Sequence, residues 1–246
     1  MSLHGVLDEE TIRREIIDRA DAFEQSLALA RTRIPTVLLR DIFPAELERG
    51  AIRLENFLGH WGNVSVEELC KLCLIVAWMR PRRILEIGTF NGMTTLQLAL
   101  NAPDDCVVYT LDLPEGALAE GLNDIDSVVA RHARDRFGTS TGSYFAARKD
   151  VRIRQLLGDS ASFDYPGAID GPVDVVFIDG AHDAAHKRID TEAALSLLTP
   201  GGVILWHNFA DIVNPDVTAF LYELAENYPV VHLKNTLLAI YRSPLG

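Results

Sequence analysis

Apolar residues recur at three- and four-residue steps over 8–31 (Ile12, Ile16, Ala20, Phe23, Leu27), the spacing that lines one face of a helix. Arginines and carboxylates fill the positions between them and are expected to face solvent. Pro35 and Pro44 break the pattern, and a shorter helical piece is expected around Glu46 to Leu58. Gly59-His60-Trp61-Gly62-Asn63 reads as a loop. Ser65 and Glu68 then form a capping box, in which each side chain satisfies the other residue's backbone N–H. That box opens a helix ending before Pro81. Residues 1–62 are therefore expected to be a helical cap or a dimerisation arm, and 63–246 a separate α/β unit.

From Arg83 the period changes. Short apolar runs at Ile84–Ile87, Val107–Leu111, Val151–Leu157, Val173–Ile178 and Val203–Trp206 alternate with helical patterns at 92–100, 184–198 and 215–227. Strands apolar on both faces and separated by helices predict a parallel sheet covered on both sides, in doubly wound order. The tail departs from this. Pro229–Leu233 and Thr236–Tyr241 read as strands joined only by Lys234-Asn235, and so short a connection joins antiparallel neighbours. The expectation is a mainly parallel, seven-stranded sheet closed by a C-terminal antiparallel hairpin. The stretch 115–150 is long for a strand connection. It reads either as a lid over a bound molecule or as a plain surface insertion.

At the first of these strands, Arg83-Ile84-Leu85-Glu86-Ile87-Gly88-Thr89-Phe90-Asn91-Gly92-Met93-Thr94-Thr95-Leu96 places a glycine turn between strand and helix. Such a turn lets backbone approach a ligand, and the helix start beyond it offers unpaired N–H groups. The dinucleotide fingerprint G-x-G-x-x-G is not present. The pattern is E-x-G-x-x-x-G, and Thr89 and Phe90 leave less room for a pyrophosphate. A ligand with an adenosine and an amino-acid tail but no phosphate, S-adenosylmethionine, suits the turn better.

The chain has 246 residues, 48% of them apolar and 24% charged, a globular profile. A formal net charge of −12 argues against a nucleic-acid or anionic-membrane partner. The apolar run Leu72 to Met79 is too short to cross a bilayer, and the first residues lack a secretion pattern, so a cytoplasmic location is expected. Three cysteines make no disulfide framework. Cys70 and Cys73 form a C-x-x-C inside a helical segment and are read as small buried apolar residues.

In an open parallel sheet, ligands bind beyond the carboxyl ends of the strands. All five parallel strands here end in polar side chains: Glu86 and the Gly88 turn, Asp112, Gly158-Asp159-Ser160, Asp179-Gly180-Ala181-His182, and His207-Asn208. Asp112 lies 24 positions after Gly88, close to the spacing at which an acid meets ribose hydroxyls. The Asp159 carboxylate is placed to accept from an exocyclic amine.

The ordered set ILEIGTFNGMT, YTLDLPEG, GDSASF, VDVVFIDGAH and LLTPGGVILWHN, with NVSVEEL before it, resembles the class I S-adenosylmethionine-dependent methyltransferases. The likeness is to small-molecule O-methyltransferases of the catechol and caffeoyl-coenzyme A type and covers about residues 63–246. It implies that Asn63, Ser65 and Thr94 lie near the methionine end of the cofactor. Glu86, Gly88, Thr89, Phe90 and Gly92 would build the loop beside it. Asp112 would hold the ribose, and Asp159 and Ser160 would meet the adenine. Asp179 matches a position at which metal-dependent members bind magnesium, and His207-Asn208 matches an Asp-Asn pair that completes their site. Two positions depart from that pattern: Ala181 and His207 stand where some members carry acids. An imidazole in place of a carboxylate suits magnesium poorly and leaves a softer divalent ion, or none, at Asp179, His207 and Asn208.

His182 falls where the family carries a catalytic lysine. An imidazole with a pKa near ~6.5 suits proton removal from a hydroxyl at neutral pH, which makes His182 the expected base. His186, four residues on, is read as solvent-facing. The function expected is O-methylation of a small molecule, by a chain able to dimerise through its N-terminal helices. A cofactor-binding protein without catalysis and a metal-independent N- or C-methyltransferase are the alternatives.

Overall fold

The computed structural model describes residues 34–57, 62–114 and 140–246. The expected helix over 8–31, the dimer contact built on it, the loop residues Gly59 to Trp61 and most of the 115–150 insertion lie outside the described residues. The strands are β1 (Thr36–Val37), β2 (Arg83–Ile87), β3 (Val107–Asp112), β4 (Ile153–Leu157), β5 (Val173–Ile178), β6 (Leu198–Trp206), β7 (Val231–Leu233) and β8 (Ala239–Arg242). They form one sheet in the order β1-β7-β8-β6-β5-β2-β3-β4. Every neighbouring pair is parallel except β6–β8 and β7–β8, so β8 alone runs backwards. The seven expected strands are present, and two-residue β1 extends the sheet beside β7.

Side-chain alternation along the central strands divides the core into two layers. On β5, Val175 and Phe177 face one layer while Val176 and Ile178 face the other; on β6, Val203 and Leu205 oppose Ile204 and Trp206 in the same way. The first layer is closed by α2 (Val66–Met79) and α3 (Met93–Asn101), through Leu72, Ile75, Val76 and Leu98. The second is closed by α5 (Ala184–Leu197) and α6 (Pro215–Leu224), through Ala194, Phe220 and Leu221. Two shorter helices, α1 (Leu39–Ile42) and α4 (Tyr165–Ala168), fill the sheet's periphery. Cys70 and Cys73 both lie on α2; Cys73 is fully buried as expected, whereas Cys70 is only partly buried. No helix among the described residues is long and apolar enough to cross a membrane.

The capping box forms as read. Ser65 Oγ accepts from Glu68 N at 3.3 Å, and Glu68 Oε2 accepts from Ser65 N at 2.7 Å. The C-terminal hairpin forms too, but β8 begins at Ala239 rather than Thr236. The reason is that Leu237 uses its backbone elsewhere: its N–H donates to Glu68 Oε1 at 2.6 Å and its carbonyl accepts from Phe209 N. The turn residues between β7 and β8 therefore serve the helix cap and the β6 exit loop instead of the ladder.

The helix expected over Glu46 to Leu58 is not formed. A single 3-10 turn, Leu47–Arg49, ends at Gly50, and the chain then runs without helix or strand. Two amides on α3 explain this. Gln97 exchanges hydrogen bonds with the backbone N–H and C=O of Glu55, at 2.9 and 2.7 Å. Asn101 does the same with Arg53, at 2.8 Å for both. Each side chain mimics a strand edge, so residues 51–57 dock by pairing with α3.

Gln97 is fully buried. Gln97→Ala would leave both Glu55 backbone groups without partners, a cost of about 1–3 kcal/mol per orphaned group. Thermal unfolding should show the loss, and hydrogen exchange at Glu55 should rise toward that of an open segment. Unchanged protection at Glu55 would refute the pairing as the cause of the extended path.

Candidate active site

A cavity of about 460 Å³ opens beyond the carboxyl ends of β2 to β6. Its wall follows the strand order. Asp112 at the end of β3 and Gly158-Asp159-Ser160 after β4 line one side, and the β2 turn with Gly88, Thr89, Phe90 and Asn91 lies between. Asp179, Gly180, Ala181, His182 and His186 from β5 and α5, with His207, Asn208, Asp211, Val213 and Asn214 beyond β6, line the other. Asn63 and Thr94, from the starts of the chain before α2 and of α3, complete the wall. Of the residues singled out in the sequence, only Ser65, Glu86 and Gly92 fall outside it. Ser65 is engaged in the helix cap, Glu86 lies beneath the turn, and Gly92 begins α3.

The glycine turn is held from behind as much as it is open in front. Gly88 has φ 103°, and a Cβ there would overlap the carbonyl of Asp179. Gly92 has φ 81°, and its Cβ would strike the Phe145 ring. Both glycines thus allow close packing of backbone on neighbouring elements. Phe90 is left-handed at φ 48°, unusual for a bulky side chain. Asp112 holds it there: Oδ2 accepts from Phe90 N and Oδ1 from Leu113 N, each at 2.7 Å. The Asp112 carboxyl group also lines the cavity.

Glu86 occupies an otherwise apolar position on β2. Its Oε2 accepts from Thr110 Oγ1 at 2.5 Å and from Thr95 Oγ1, while Oε1 has no hydrogen-bond partner. Complete burial pushes its pKa up to about 8, the two threonine hydroxyls oppose the rise, and Asp179 and Asp112 add to it. The group is mostly protonated at neutral pH.

A row of three buried ionisable groups crosses the far side of the cavity. His207 Nδ1 lies 3.0 Å from Asp179 Oδ1 and 3.0 Å from Asn208 Oδ1. Its Nε2 lies 3.5 Å from Glu68 Oε2, an ionic contact without hydrogen-bond alignment. Burial alone would push His207 down, but the carboxylates of Asp179 and Glu68 outweigh it and raise the pKa to about 10. Burial works against Glu68 in the same way, and His207 with the N–H groups of Leu237 and Ser65 holds it at about 2. Asp179 is likewise lowered, by His207 and then Lys187 and His182 acting against burial.

This arrangement bears on a metal. His207 Nδ1 lies against both Asp179 Oδ1 and Asn208 Oδ1, so the ring nitrogen nearest these two oxygens faces them as a donor where a metal ligand would have to accept. Among the described residues no three histidine, cysteine, aspartate or glutamate side chains converge to hold an ion. A hard divalent cation would have to displace all these contacts, so the residues present do not fit one.

The cavity does carry groups that a polar cofactor would satisfy. Asn63 Nδ2 and Asn91 Nδ2 are buried donors without partners. Asn91, His186, Asp211 and Asn214 were not singled out from the sequence as site residues. Asp211 organises the loop after β6, accepting from Asn208 Nδ2, Asn214 Nδ2 and Val213 N at 2.8–2.9 Å. Extending the strand-end argument three residues past Asn208 would have reached it. His186 is a correction: it is not solvent-facing but 15% exposed and part of the wall.

The buried row makes stability depend on pH. His207 has a folded value above its ordinary 6.5, so its contribution is complete below that pH and is lost as pH rises through about 10. Glu68 is depressed, so its contribution is present above 4.5 and lost as pH falls through about 2. The melting temperature should fall between pH 6.5 and 10, and this decline should flatten in His207→Asn. At pH 7 His207→Ala should cost about 3–5 kcal/mol, because it leaves two carboxylates buried without a counter-charge. Equal pH slopes in the two proteins would show that the row is not the source.

The comparisons with known proteins concern this same region. A catechol O-methyltransferase of Mycobacterium tuberculosis is 30% identical over 146 residues, which cover 59% of this chain and 56% of that protein. A caffeoyl-CoA O-methyltransferase of Stellaria longipes is 25% identical over 137 residues, covering 56% and 50%. The chain thus spans about half the length of the curated relatives it matches. Among solved structures, an O-methyltransferase from Bacillus cereus in complex with SAH is similar at 22% identity and a TM-score of 0.49, covering 90% of each chain. The family model described as a methyltransferase domain matches residues 85–209, from within β2 to the loop after β6. The match covers half of the chain and all five strand ends that build the cavity, and the chain belongs to that methyltransferase family.

Proposed function

We propose that the protein transfers a methyl group from S-adenosylmethionine to a hydroxyl oxygen of a small molecule. The observation that carries this reading is the division of the cavity about β2. Carboxylate acceptors, Asp112 and Asp159, end β3 and β4 on one side, while three imidazoles, His182, His186 and His207, stand beyond β5 and β6 on the other. An adenosine has hydroxyls and an amine to donate, so it belongs with the acceptors. A hydroxyl that must lose a proton belongs with the imidazoles.

The individual roles follow from that placement. Asp112 accepts from the ribose hydroxyls while keeping Phe90 and Leu113 in position. The Asp159-Ser160 turn meets the adenine. The unpartnered amides of Asn63 and Asn91 face the carboxylate of the methionine end, beside Thr94 at the start of α3. The cofactor supplies an electrophilic methyl on a sulfonium, and an acidic cavity suits that cation. Asp211 and the Asn208 and Asn214 amides shape the acceptor end.

Catalysis on this reading is mainly positioning for in-line displacement, assisted by a histidine that takes the acceptor's proton. The sequence gives that role to His182, and the structure adds His186 as a second histidine in the same wall. His207 is engaged on both nitrogens and serves as a fixed donor and charge. No divalent ion takes part, because the side chains that would ligate it are bonded to one another.

Calorimetry should show S-adenosylmethionine binding, and Asp112→Ala should weaken it by roughly 1–3 kcal/mol, the loss of a charge-assisted hydrogen bond. Wild-type protein with methyl-labelled cofactor and a panel of phenols should give labelled ether, at a rate unchanged by dialysis against a chelator. Binding without transfer to any phenol, sugar hydroxyl or amine would favour a non-catalytic cofactor-binding protein. Activity abolished by the chelator and restored by manganese would refute the metal-free arrangement.

A further inference from the structure

We infer that His186, held by Asp183, is the proton acceptor of this site. The inference rests on the methyltransferase reading and decides which histidine performs the step. Of the three imidazoles in the wall, His207 has Nδ1 against Asp179 and Asn208 and Nε2 against Glu68, so neither nitrogen is available to a substrate. His182 stands on the loop before α5. His186 stands on the first turn of α5, where one carboxylate fixes both its backbone and its ring.

Asp183 is the N-cap of α5. Its Oδ1 accepts from His186 N at 2.9 Å, and its Oδ2 lies 2.6 Å from His186 Nδ1. Both side chains are largely buried, at 25% and 15% exposure. Burial raises the Asp183 carboxyl, but its hydrogen bonds with the backbone and ring of His186 outweigh that and hold it below its ordinary value. An ionised carboxylate only accepts, so Nδ1 of a neutral His186 carries the proton. The lone pair is then on Nε2. A carboxylate fixing tautomer and orientation through one ring nitrogen is what a general base requires at the other. A purely capping aspartate would have satisfied the helix through Oδ1 alone.

The step balances as follows. An oxygen lone pair of the acceptor hydroxyl forms the new C–O bond as the methyl C–S bond breaks, and that electron pair stays on sulfur, which becomes a neutral thioether. The hydroxyl proton passes to His186 Nε2. The resulting imidazolium is balanced by the Asp183 carboxylate in contact with it. The proton is released to solvent when product leaves.

The test uses the full chain with S-adenosylhomocysteine bound and ¹⁵N-labelled histidine. Nitrogen shifts should report His186 as the Nδ1–H tautomer in the wild type and a shift toward Nε2–H in Asp183→Asn. Asparagine caps helices as well as aspartate does, so the melting temperature of that variant should change little. With methyl-labelled cofactor and catechol as probe acceptor, Asp183→Asn and His186→Gln should each lower turnover by roughly 10- to 100-fold, with the KM for cofactor unchanged. Asp183→Glu should recover part of the loss. An Nε2–H tautomer in the wild type would overturn the inference. So would turnover within twofold of wild type in His186→Gln while His182→Ala abolishes it. Absence of turnover by the wild type on every phenol tried would instead overturn the methyltransferase reading, and the tautomer measurement would still decide the Asp183–His186 pair.

Discussion

The contact on which the site depends is the buried imidazole of His207 between the carboxylates of Asp179 and Glu68. Each of the three groups anchors a different part of the fold. Asp179 ends β5, His207 follows β6, and Glu68 is the third residue of α2, where it also completes the helix cap. Through its other oxygen Glu68 receives the N–H of Leu237 in the β7–β8 turn, and Leu237 in turn receives Phe209 from the β6 exit loop. Two buried carboxylates without the imidazole would repel, and the imidazole without them would be costly to charge. The row therefore fixes the relative positions of β5, β6, α2 and the hairpin turn as a unit. The cavity wall beyond β5 and β6 takes its shape from that unit.

Much of this was legible from local pattern, because the features concerned are local. The strand–glycine–helix run at 83–96, the Ser65–Glu68 box and the reversal at Lys234-Asn235 each depend on residues within a few positions of one another. The extended path of residues 51–57 was not legible, since it is made by Gln97 and Asn101 some forty positions away. The start of β8 was misplaced for a similar reason: Leu237 answers to Glu68 and Phe209, which are distant in sequence. His186 was misread because helical spacing alone gives an exposed face. Its ring is held by Asp183 at the wall of the cavity, a contact that spacing alone does not show.

The glycines show how a correct motif can rest on a different cause. Gly88 was read as leaving room for a ligand, and it does line the cavity. Its missing Cβ, however, makes room for the Asp179 carbonyl, which lets β2 and β5 end side by side. Close packing at the centre of the sheet is what sets the β2 turn beside the end of β5 in one cavity wall. Removing that packing would alter the distance between Asp112 and His186 before it altered any contact with a ligand.

Glu86 completes the electrostatic logic. It is fully buried beneath the turn, near the carboxyl groups of Asp112 and Asp179, and its charge would add to theirs at a buried position where screening is weak. Burial and those two neighbours raise its pKa to about 8, so it is mostly protonated at neutral pH. A protonated Glu86 still accepts from Thr95 and Thr110 and so holds α3 and β3 against β2. Asp112 then has no charged carboxylate at Glu86 below it, and His207 offsets Asp179 on the opposite side. Asp112 on one side and the imidazoles beyond β5 and β6 on the other are thereby left as the groups that a molecule in the cavity meets. Substituting Gln for Glu86 would keep the size and the accepting oxygen, so the physical role argued here is that of a neutral acceptor, not of a carboxylate.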